Sequence, residues 1–106
     1  MCTLIIEFAP NTDRPLLVGD NRDEAYDRPA KGPFWWPTPD GAPRIFAPQD
    51  LKEHGTWFGI NDHEVVAGLT NRFGSPPDPT RRSRGELVVL ALSFETAHSA
   101  AAHIHQ

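Results

Sequence analysis

The sequence predicts an α+β protein in which antiparallel strands come first and helices follow towards the C-terminal end. Two pairs of short β-rich runs are each interrupted by a turn sequence, the first before residue 22 and the second between residues 56 and 70. The last quarter of the chain carries apolar residues at helical spacing instead. Strand runs followed by helical runs are typical of folds whose helices are segregated from the sheet strands along the chain.

The first predicted hairpin pairs the run from Cys2 to Phe8 with the run from Leu16 to Asp20. The sequence from Pro10 to Pro15 between them has the composition of a turn. With the turn centred near Thr12, the numbers of paired residues should sum to about 23–25, because strand residues pair one to one away from the turn. We therefore expect Cys2 to lie opposite residues 21–23.

Cys2 is the only cysteine and directly follows Met1. If Met1 is removed, Cys2 carries both a thiol and a free α-amine, whose unperturbed pKa values are roughly 8.5 and 7.7–8.0. The amine could then accept the thiol proton near neutral pH, which makes Cys2 a candidate nucleophile. The alternative is that Cys2 is a small apolar residue at the start of a buried strand.

The sequence Asn21-Arg22-Asp23-Glu24 places charged groups where the hairpin register puts the thiol. Arg22 could stabilise a thiolate, and Asp23 could hold the terminal ammonium or orient a substrate amide. Because side chains alternate along a strand, Arg22 could also point away from Cys2. An ordinary charged strand end is the competing interpretation.

The segment from Arg28 to Pro48 contains six prolines, which predicts an extended irregular loop. Trp35 and Trp36 in this segment could line a pocket for an apolar acyl group or a planar ligand, or could pin the loop to the core. Asp50 to Glu53 has the pattern of one capped helical turn, and Gly55 is expected to take a left-handed conformation after it.

The second predicted hairpin joins Thr56–Asn61 to Glu64–Thr70 through a tight turn at Asp62 and His63. Trp57 joins Trp35 and Trp36 as a candidate substrate-binding aromatic residue. Gly59 and Gly68 could leave room beside the nucleophile. Asn71, at the end of the return strand, could donate its amide hydrogen to the oxygen of a tetrahedral intermediate, or could simply form a turn.

The sequence of the last quarter of the chain predicts two helices. The first should start with a capping box formed by Ser83 and Glu86. Its buried face should consist of four residues at helical spacing, namely Leu87, Leu90, Ala91 and Phe94. The second helix should begin near Thr96. The spacing of His98, His103 and His105 does not put three ligands on one helix face, so we expect no metal site.

Composition restricts the classes of function. A length of 106 residues allows one domain, and a net charge of −4 argues against a nucleic-acid surface. One cysteine permits no intrachain disulfide, and no segment resembles a targeting sequence or a membrane span, so we expect a cytoplasmic protein. We also expect a small-molecule ligand and no cofactor.

Several motifs occur in order along the chain and together resemble the NRDE family, which is related to the transport and Golgi organisation proteins. The motifs are Met1-Cys2-Thr3, Asn21-Arg22-Asp23-Glu24, Ala47-Pro48-Gln49-Asp50-Leu51, Gly55-Thr56-Trp57-Phe58-Gly59-Ile60-Asn61, Leu69-Thr70-Asn71 and Ser83-Arg84-Gly85-Glu86-Leu87. The resemblance implies an N-terminal-nucleophile hydrolase-like fold, a four-layer αββα sandwich. Residues 1–106 would then be the N-terminal part of a single NRDE domain, truncated at its C-terminus.

The resemblance also implies a function, because penicillin V acylase and bile salt hydrolase share that fold and cleave amides with an N-terminal cysteine. In that interpretation Cys2 attacks a linear amide, Asp23 orients the amine or the substrate, and Asn71 stabilises the oxyanion. The acylases carry an Arg three residues before their Asp, where this chain has Asp20, so the catalytic role of Arg22 is the weakest part of the analogy. The alternative is a non-enzymatic carrier of haem or a lipid-like ligand.

Overall fold

The computed structural model describes residues 2–71, 74, 76 and 78–105. Within these residues the strands form two antiparallel sheets, one with two strands and one with four in the order β3-β4-β5-β6, and both helices follow them. The elements are β1 Thr3–Phe8, β2 Leu16–Asn21, β3 Ala30–Trp35, β4 Ile45–Asp50, β5 Phe58–Asn61, β6 Val66–Gly68, α1 Gly85–Leu92 and α2 Ala97–His105. The predicted α+β class is confirmed, and the arrangement is compatible with the N-terminal part of a sandwich.

The first hairpin has the predicted register. Thr3 pairs with Asn21 and Phe8 pairs with Leu16, so paired numbers sum to 24 throughout. The turn is closed by a hydrogen bond from the Ala9 amide to the Pro15 carbonyl (2.8 Å). The polar sequence that begins at Asn21 therefore starts at the end of the hairpin where Cys2 lies.

The prediction of an irregular loop from Arg28 to Pro48 is wrong, because β3 and the first part of β4 lie within this segment. The register of this pair shifts between Lys31 and Phe34, so that Gly32 and Pro33 oppose the single residue Pro48. A bulge tolerates prolines because it leaves residues unpaired in any case. The prolines thus mark an irregularity in a sheet and not the absence of one.

The helical turn predicted after β4 is present, but its left-handed residue is not Gly55. The His54 amide donates to the Asp50 carbonyl (2.8 Å), and His54 itself has φ 63°. Gly55 is required for a different reason: a Cβ atom there would lie 2.8 Å from the carbonyl carbon of Gly85. The absence of a side chain at Gly55 therefore lets the start of α1 approach the sheet.

The second hairpin is present, but its return strand is limited to Val66–Gly68. The turn is longer than predicted because Glu64 has φ 65° and the Asn61 side-chain oxygen accepts hydrogen bonds from the amides of His63 (2.9 Å) and Val65 (3.0 Å). The Asn61 amide group donates to the carbonyls of Leu92 (2.9 Å) and Phe94 (2.7 Å). This buried side chain thus joins the hairpin to the end of α1.

The core lies between α1 and the four-stranded sheet and consists of Ile45, Ala47, Val88 and Leu92. The predicted buried face of α1 is therefore wrong, since Leu87 and Leu90 are among the exposed residues. A Cβ atom at Gly59 would lie 2.8 Å from a Leu92 methyl carbon, so Gly59 provides the space into which Leu92 packs. Gly59 consequently makes room for the helix and not for a nucleophile.

The two helices start differently. The prediction of a capping box is wrong, because the Ser83 hydroxyl accepts from the Gly85 amide (3.3 Å) and not from Glu86. The Glu86 carboxylate is paired with Arg82 instead (Nε to Oε2, 2.7 Å). The second helix begins as predicted, with the Thr96 hydroxyl accepting a hydrogen bond from the Ser99 amide (3.1 Å). Within the residues described, neither helix is long and apolar enough to cross a membrane.

The first hairpin contacts the sheet face opposite α1. A Cβ atom at Gly68 would lie 3.3 Å from the Phe58 side chain and 3.4 Å from the Leu4 side chain. Gly68 is paired with Phe58, whereas Gly59, the residue after Phe58, faces the helix. Because successive strand residues point to opposite faces, α1 and the hairpin lie on different sides of the four-stranded sheet.

Candidate active site

Cys2 lies at the open end of the first hairpin and is half-buried. Its thiol donates a hydrogen bond to the backbone carbonyl of Asp23, with a sulfur to oxygen distance of 3.8 Å. The hairpin register explains this contact, because β1 starts at Thr3 and β2 ends at its partner Asn21. The expected proximity of Cys2 to the polar cluster is therefore confirmed.

The Asp23 carboxylate interacts with the start of the chain. Its pKa lies below the ordinary value, because the ammonium at the start of the chain, which belongs to the residue before Cys2, donates a hydrogen bond to it and attracts it electrostatically. The carboxylate is exposed, so water screens the attraction. Asp23 is thus associated with the thiol through its backbone and with the ammonium through its side chain.

The Arg22 side chain is directed towards β4 and Trp57. Its Nη2 lies 3.7 Å from the Asp50 carboxylate, and its guanidinium carbon lies 4.7 Å from the centre of the Trp57 ring. Nη1 donates a long hydrogen bond to the Arg28 carbonyl (3.4 Å), and no described group accepts a hydrogen bond from the buried Nη2. The contacts described for Arg22 do not include Cys2, so a thiolate-stabilising role has no direct geometric support.

Asp50 is the buried carboxylate at the centre of this polar network, with 8% of its surface exposed. Its Oδ2 atom accepts a hydrogen bond from Arg28 Nε (2.7 Å) and lies 2.6 Å from Arg28 Nη2. Its Oδ1 atom accepts hydrogen bonds from the backbone amides of Lys52 (2.9 Å) and Glu53 (3.4 Å). Burial opposes ionisation of Asp50, but these hydrogen bonds and the Arg28 charge outweigh it and lower the pKa.

Spacing along the chain predicts Asp50 only as the cap of a local turn and does not predict its long-range role. The signal was the quoted motif from Ala47 to Leu51, which contains the charged residue Asp50 at the end of β4. Its partners could not be found by spacing, since Arg28 and Asp50 are joined by the pairing of β3 with β4.

Trp57 contacts the C-terminal end of β2, where Asp20 lies and which Arg22 follows. Burial raises the pKa of Asp20, and a hydrogen bond from Trp57 offsets part of the rise. The same indole stacks on Arg22. Trp57 therefore orients charged side chains at the end of the hairpin, in addition to any contact with a substrate.

Trp35 and Trp36 lie on opposite faces of the four-stranded sheet. The Trp36 indole donates to the Ala47 carbonyl (2.9 Å) and packs against the core, whereas Trp35 is half exposed and contacts Phe46 and Arg44. They cannot line one pocket together. Trp36 takes the packing role that the sequence analysis kept as an alternative.

An apolar cavity of about 510 Å³ lies between the first hairpin and the second. Its lining is mostly apolar and includes one acidic residue, Glu64, beside Leu4, Ile6, Leu16, Val18, Phe58 and Val66. Alternate residues of an extended strand point the same way, so Cys2 precedes Leu4 and Ile6 on the same side of the chain. Cys2 itself lies directly before β1 and is not one of the residues that line the cavity.

Among the described residues, no contact joins Asn71 or the three C-terminal histidines, His98, His103 and His105, to Cys2 or Asp50. Asn71 is exposed beyond the end of β6 and makes no hydrogen bond to the described residues. His103 packs its ring against Phe94 at 5.2 Å. In the part of the chain that the structure describes, no group of three or more His, Cys, Asp or Glu residues is placed to hold a metal ion.

The whole sequence matches the family model of "Transport and Golgi organisation 2" over residues 1–106. The chain is 37% identical over 100 residues to the Transport and Golgi organization protein 2 homolog of Homo sapiens, and 34% identical over 100 residues to that of Bos taurus. Each alignment covers 90% of this chain and 36% of the relative. No solved structure gives a significant match.

A third relative, the Transport and Golgi organization 2 homolog of Mus musculus, is 35% identical over 96 residues, which covers 83% of this chain and 33% of the relative. The chain therefore spans about 36% of the length of the first two relatives. The family match extends from the Cys2 end of the hairpin through both helices. This chain belongs to the Transport and Golgi organisation 2 family.

Proposed function

We propose that the protein is an N-terminal-cysteine hydrolase of linear amides, with Cys2 as the nucleophile once Met1 is removed. One observation carries the proposal: the thiol of Cys2 donates a hydrogen bond to the backbone carbonyl of Asp23, a residue whose carboxylate attracts the ammonium at the start of the chain. Removal of Met1 would leave the free amine on Cys2 itself, so that the nucleophile and base of such a reaction would be joined on one residue beside Asp23.

The chemistry can be written with these groups. The deprotonated α-amine of Cys2 accepts the thiol proton, and sulfur attacks the amide carbon to form a tetrahedral intermediate. The carbon to nitrogen bond then breaks, the ammonium returns the proton to the leaving amine, and a thioester remains. Water, deprotonated by the same amine, attacks the thioester and releases the acid and the thiol. Asn71 would donate its amide hydrogen to the oxyanion.

The apolar cavity supports an amide with an apolar acyl group. Its volume, about 510 Å³, is within the roughly 300–1,000 Å³ range of small-molecule sites. Leu4 and Ile6 would contact the acyl group while the carbonyl lies near Cys2.

The test is turnover of N-acyl amino acids of increasing acyl length by the full-length protein. Cys2→Ala should abolish turnover, and Asn71→Ala should lower kcat by roughly 10²–10³. Asp23→Asn should lower kcat, whereas Asp27→Asn, which removes an equal charge from an exposed position in the same segment, should not. Turnover that survives Cys2→Ala would exclude this mechanism.

The apolar cavity also supports a second function, in which the protein carries haem or a lipid-like ligand without chemistry. A carrier needs the apolar lining and not the nucleophile. Cys2→Ala would then leave affinity unchanged.

Two adjacent isoleucines allow ligand binding in the cavity to be distinguished from binding to other exposed apolar surface. Ile6 lines the cavity, whereas Ile5 points to the other face of β1, and their exposed fractions are similar, 61% and 66%. Ile6→Glu should weaken binding of haem or a fatty acid in a fluorescence titration by about tenfold or more, because a carboxylate would enter the apolar lining. Ile5→Glu is the matched control, and an equal loss in both variants would argue against the cavity.

A further inference from the structure

We infer that Asp50 is a positioning residue, which holds the segment from Arg22 to Arg28 so that Asp23 stays against the thiol and the N-terminus. Its effect on turnover rests on the proposed function, whereas its effect on the position of Asp23 does not.

Asp23 needs such support because it is exposed and is not held by packing. The bonds within its segment are short-range: the Arg28 amide donates to the Ala25 carbonyl (3.0 Å), and the Ala25 amide donates to the Glu24 carboxylate (3.0 Å). Short-range bonds of this kind shape a turn without placing it relative to the rest of the molecule. The contacts that hold the segment at its two ends therefore contribute to the position of Asp23, together with its own contacts to the thiol and the start of the chain.

Both ends of the segment converge on the same carboxylate oxygen. Arg22, at the start, has its Nη2 at 3.7 Å from Asp50 Oδ2, and Arg28, at the end, has two nitrogens at 2.6–2.7 Å from it. Arg28 also approaches Glu24 at 3.8 Å. Two guanidinium groups that flank Asp23 are thus tied to one point in β4.

Asp50 is well suited to this role because it is itself fixed. Its second oxygen accepts the amides of Lys52 and Glu53, and the carboxylate is buried. A buried carboxylate is stable only with charged partners, and removal of one partner leaves the others unpaired. The anchor therefore depends on the negative charge of Asp50 and not only on its hydrogen-bonding oxygens.

Asp50→Asn tests the charge with little change of shape, since an amide oxygen can still accept from the two backbone amides. Asp62→Asn is the matched control: it removes one negative charge from an exposed turn whose carboxylate accepts from the Arg44 amide. Arg28→Gln, at a position with 30% of its side chain exposed, provides a second variant if Asp50→Asn does not fold.

The first measurement is hydrogen exchange of backbone amides in the folded protein. Asp50→Asn or Arg28→Gln should accelerate exchange in residues 22–28 by about tenfold, with unchanged rates in β5, while Asp62→Asn leaves residues 22–28 unchanged. Unchanged exchange in residues 22–28, or a uniform acceleration through the whole protein, would overturn the inference.

The second measurement follows Asp23 itself by carbon NMR of its carboxyl group during a pH titration. In Asp50→Asn the pKa of Asp23 should move up towards the ordinary value, because the carboxylate no longer stays beside the ammonium. The Asp62→Asn protein should titrate like the parent. An unmoved Asp23 titration in Asp50→Asn would equally contradict the inference.

The third measurement is kinetic and separates the two proposals. Asp50→Asn should lower kcat with little change in KM, and should have no further effect in the Asp23→Asn protein, because it acts through that residue. If no variant, including the parent, hydrolyses amides, the proposed function fails while the exchange and titration results still decide the role of Asp50. Additive effects of Asp50→Asn and Asp23→Asn would overturn the inference.

Discussion

Two buried polar residues, Asp50 and Asn61, carry long-range hydrogen bonds that their sequence neighbours do not explain. Asp50 joins β4 to the segment after β2, and Asn61 joins β5 to the carbonyls at the end of α1. Both are almost fully buried, with 8% and 3% of their surfaces exposed. A buried polar group that lost its partners would be destabilising by roughly 1–3 kcal/mol, so these residues strongly favour one arrangement of the elements.

The charge of Asp50 predicts a dependence of stability on pH. Its pKa is lowered in the folded protein, so in acid the unfolded state binds more protons and stability rises with pH. The stabilisation should be complete above the unfolded pKa of roughly 3.9 and should be lost as pH falls through the lower folded value. Asp50→Asn should be less stable than the parent near pH 6 and should lose less stability on acidification.

Urea unfolding at several pH values between roughly 3 and 7 measures this dependence. Asp62→Asn serves as the control for the change in net charge. A parent and an Asp50→Asn protein with parallel stability curves would show that the charge of Asp50 does not contribute.

At the scale of elements, the rotation of α1 is set by its contacts with the sheet. The segment from Leu87 to Leu92 is apolar on every side, so more than one helical stripe satisfies the spacing rule. Val88 and Leu92 are the residues buried, because Gly55 and Gly59 leave space where α1 begins and where Leu92 packs.

Gly59→Ala should therefore destabilise the protein by about 1–3 kcal/mol, the usual range for overpacking a core. The added Cβ atom would lie 2.7 Å from the Ala47 Cβ atom and 2.8 Å from a Leu92 methyl carbon. Gly32→Ala is the matched control, since nothing lies within 4 Å of a Cβ atom there. Equal unfolding midpoints in urea for the two variants would contradict this account of the helix position.

At the scale of the whole molecule, the first hairpin depends on the rest of the protein for its stability. A two-stranded hairpin is marginal on its own in water, and this one exposes Ile5, Ile6 and Phe8. It is attached through Leu4, which approaches Gly68, and through Arg22, which approaches Asp50 and Trp57. The candidate active site lies at this junction.

Leu4→Ala should loosen the hairpin selectively, because it removes apolar contact with the second hairpin. Hydrogen exchange should accelerate in β1 and β2 by about tenfold while rates in β4 and β5 change little. Leu17→Ala, in the same hairpin but 47% exposed, should have a smaller effect. Equal acceleration in β2 and β4 would indicate that the hairpin does not open separately.

The sequence alone was sufficient to predict those features that depend on residues close to one another along the chain. The register of β1 with β2 follows from the turn at residues 10–15, and the start of α2 near Thr96 follows from the alanine-rich segment that begins there. The contact between Cys2 and Asp23 follows from the same register, so this part of the candidate site was predictable. The sequence motifs also indicated the family that the comparisons establish.

Only the tertiary structure decided features that depend on distant residues. Prolines argue locally against a strand, yet β3 and β4 form because a bulge places Pro33 opposite Pro48. Periodicity could not choose the buried face of α1, and spacing could not pair Arg22 and Arg28 with Asp50. The reason is physical: local patterns fix backbone conformation, but packing space and the partners of a buried charge exist only once the sheets and helices have come together.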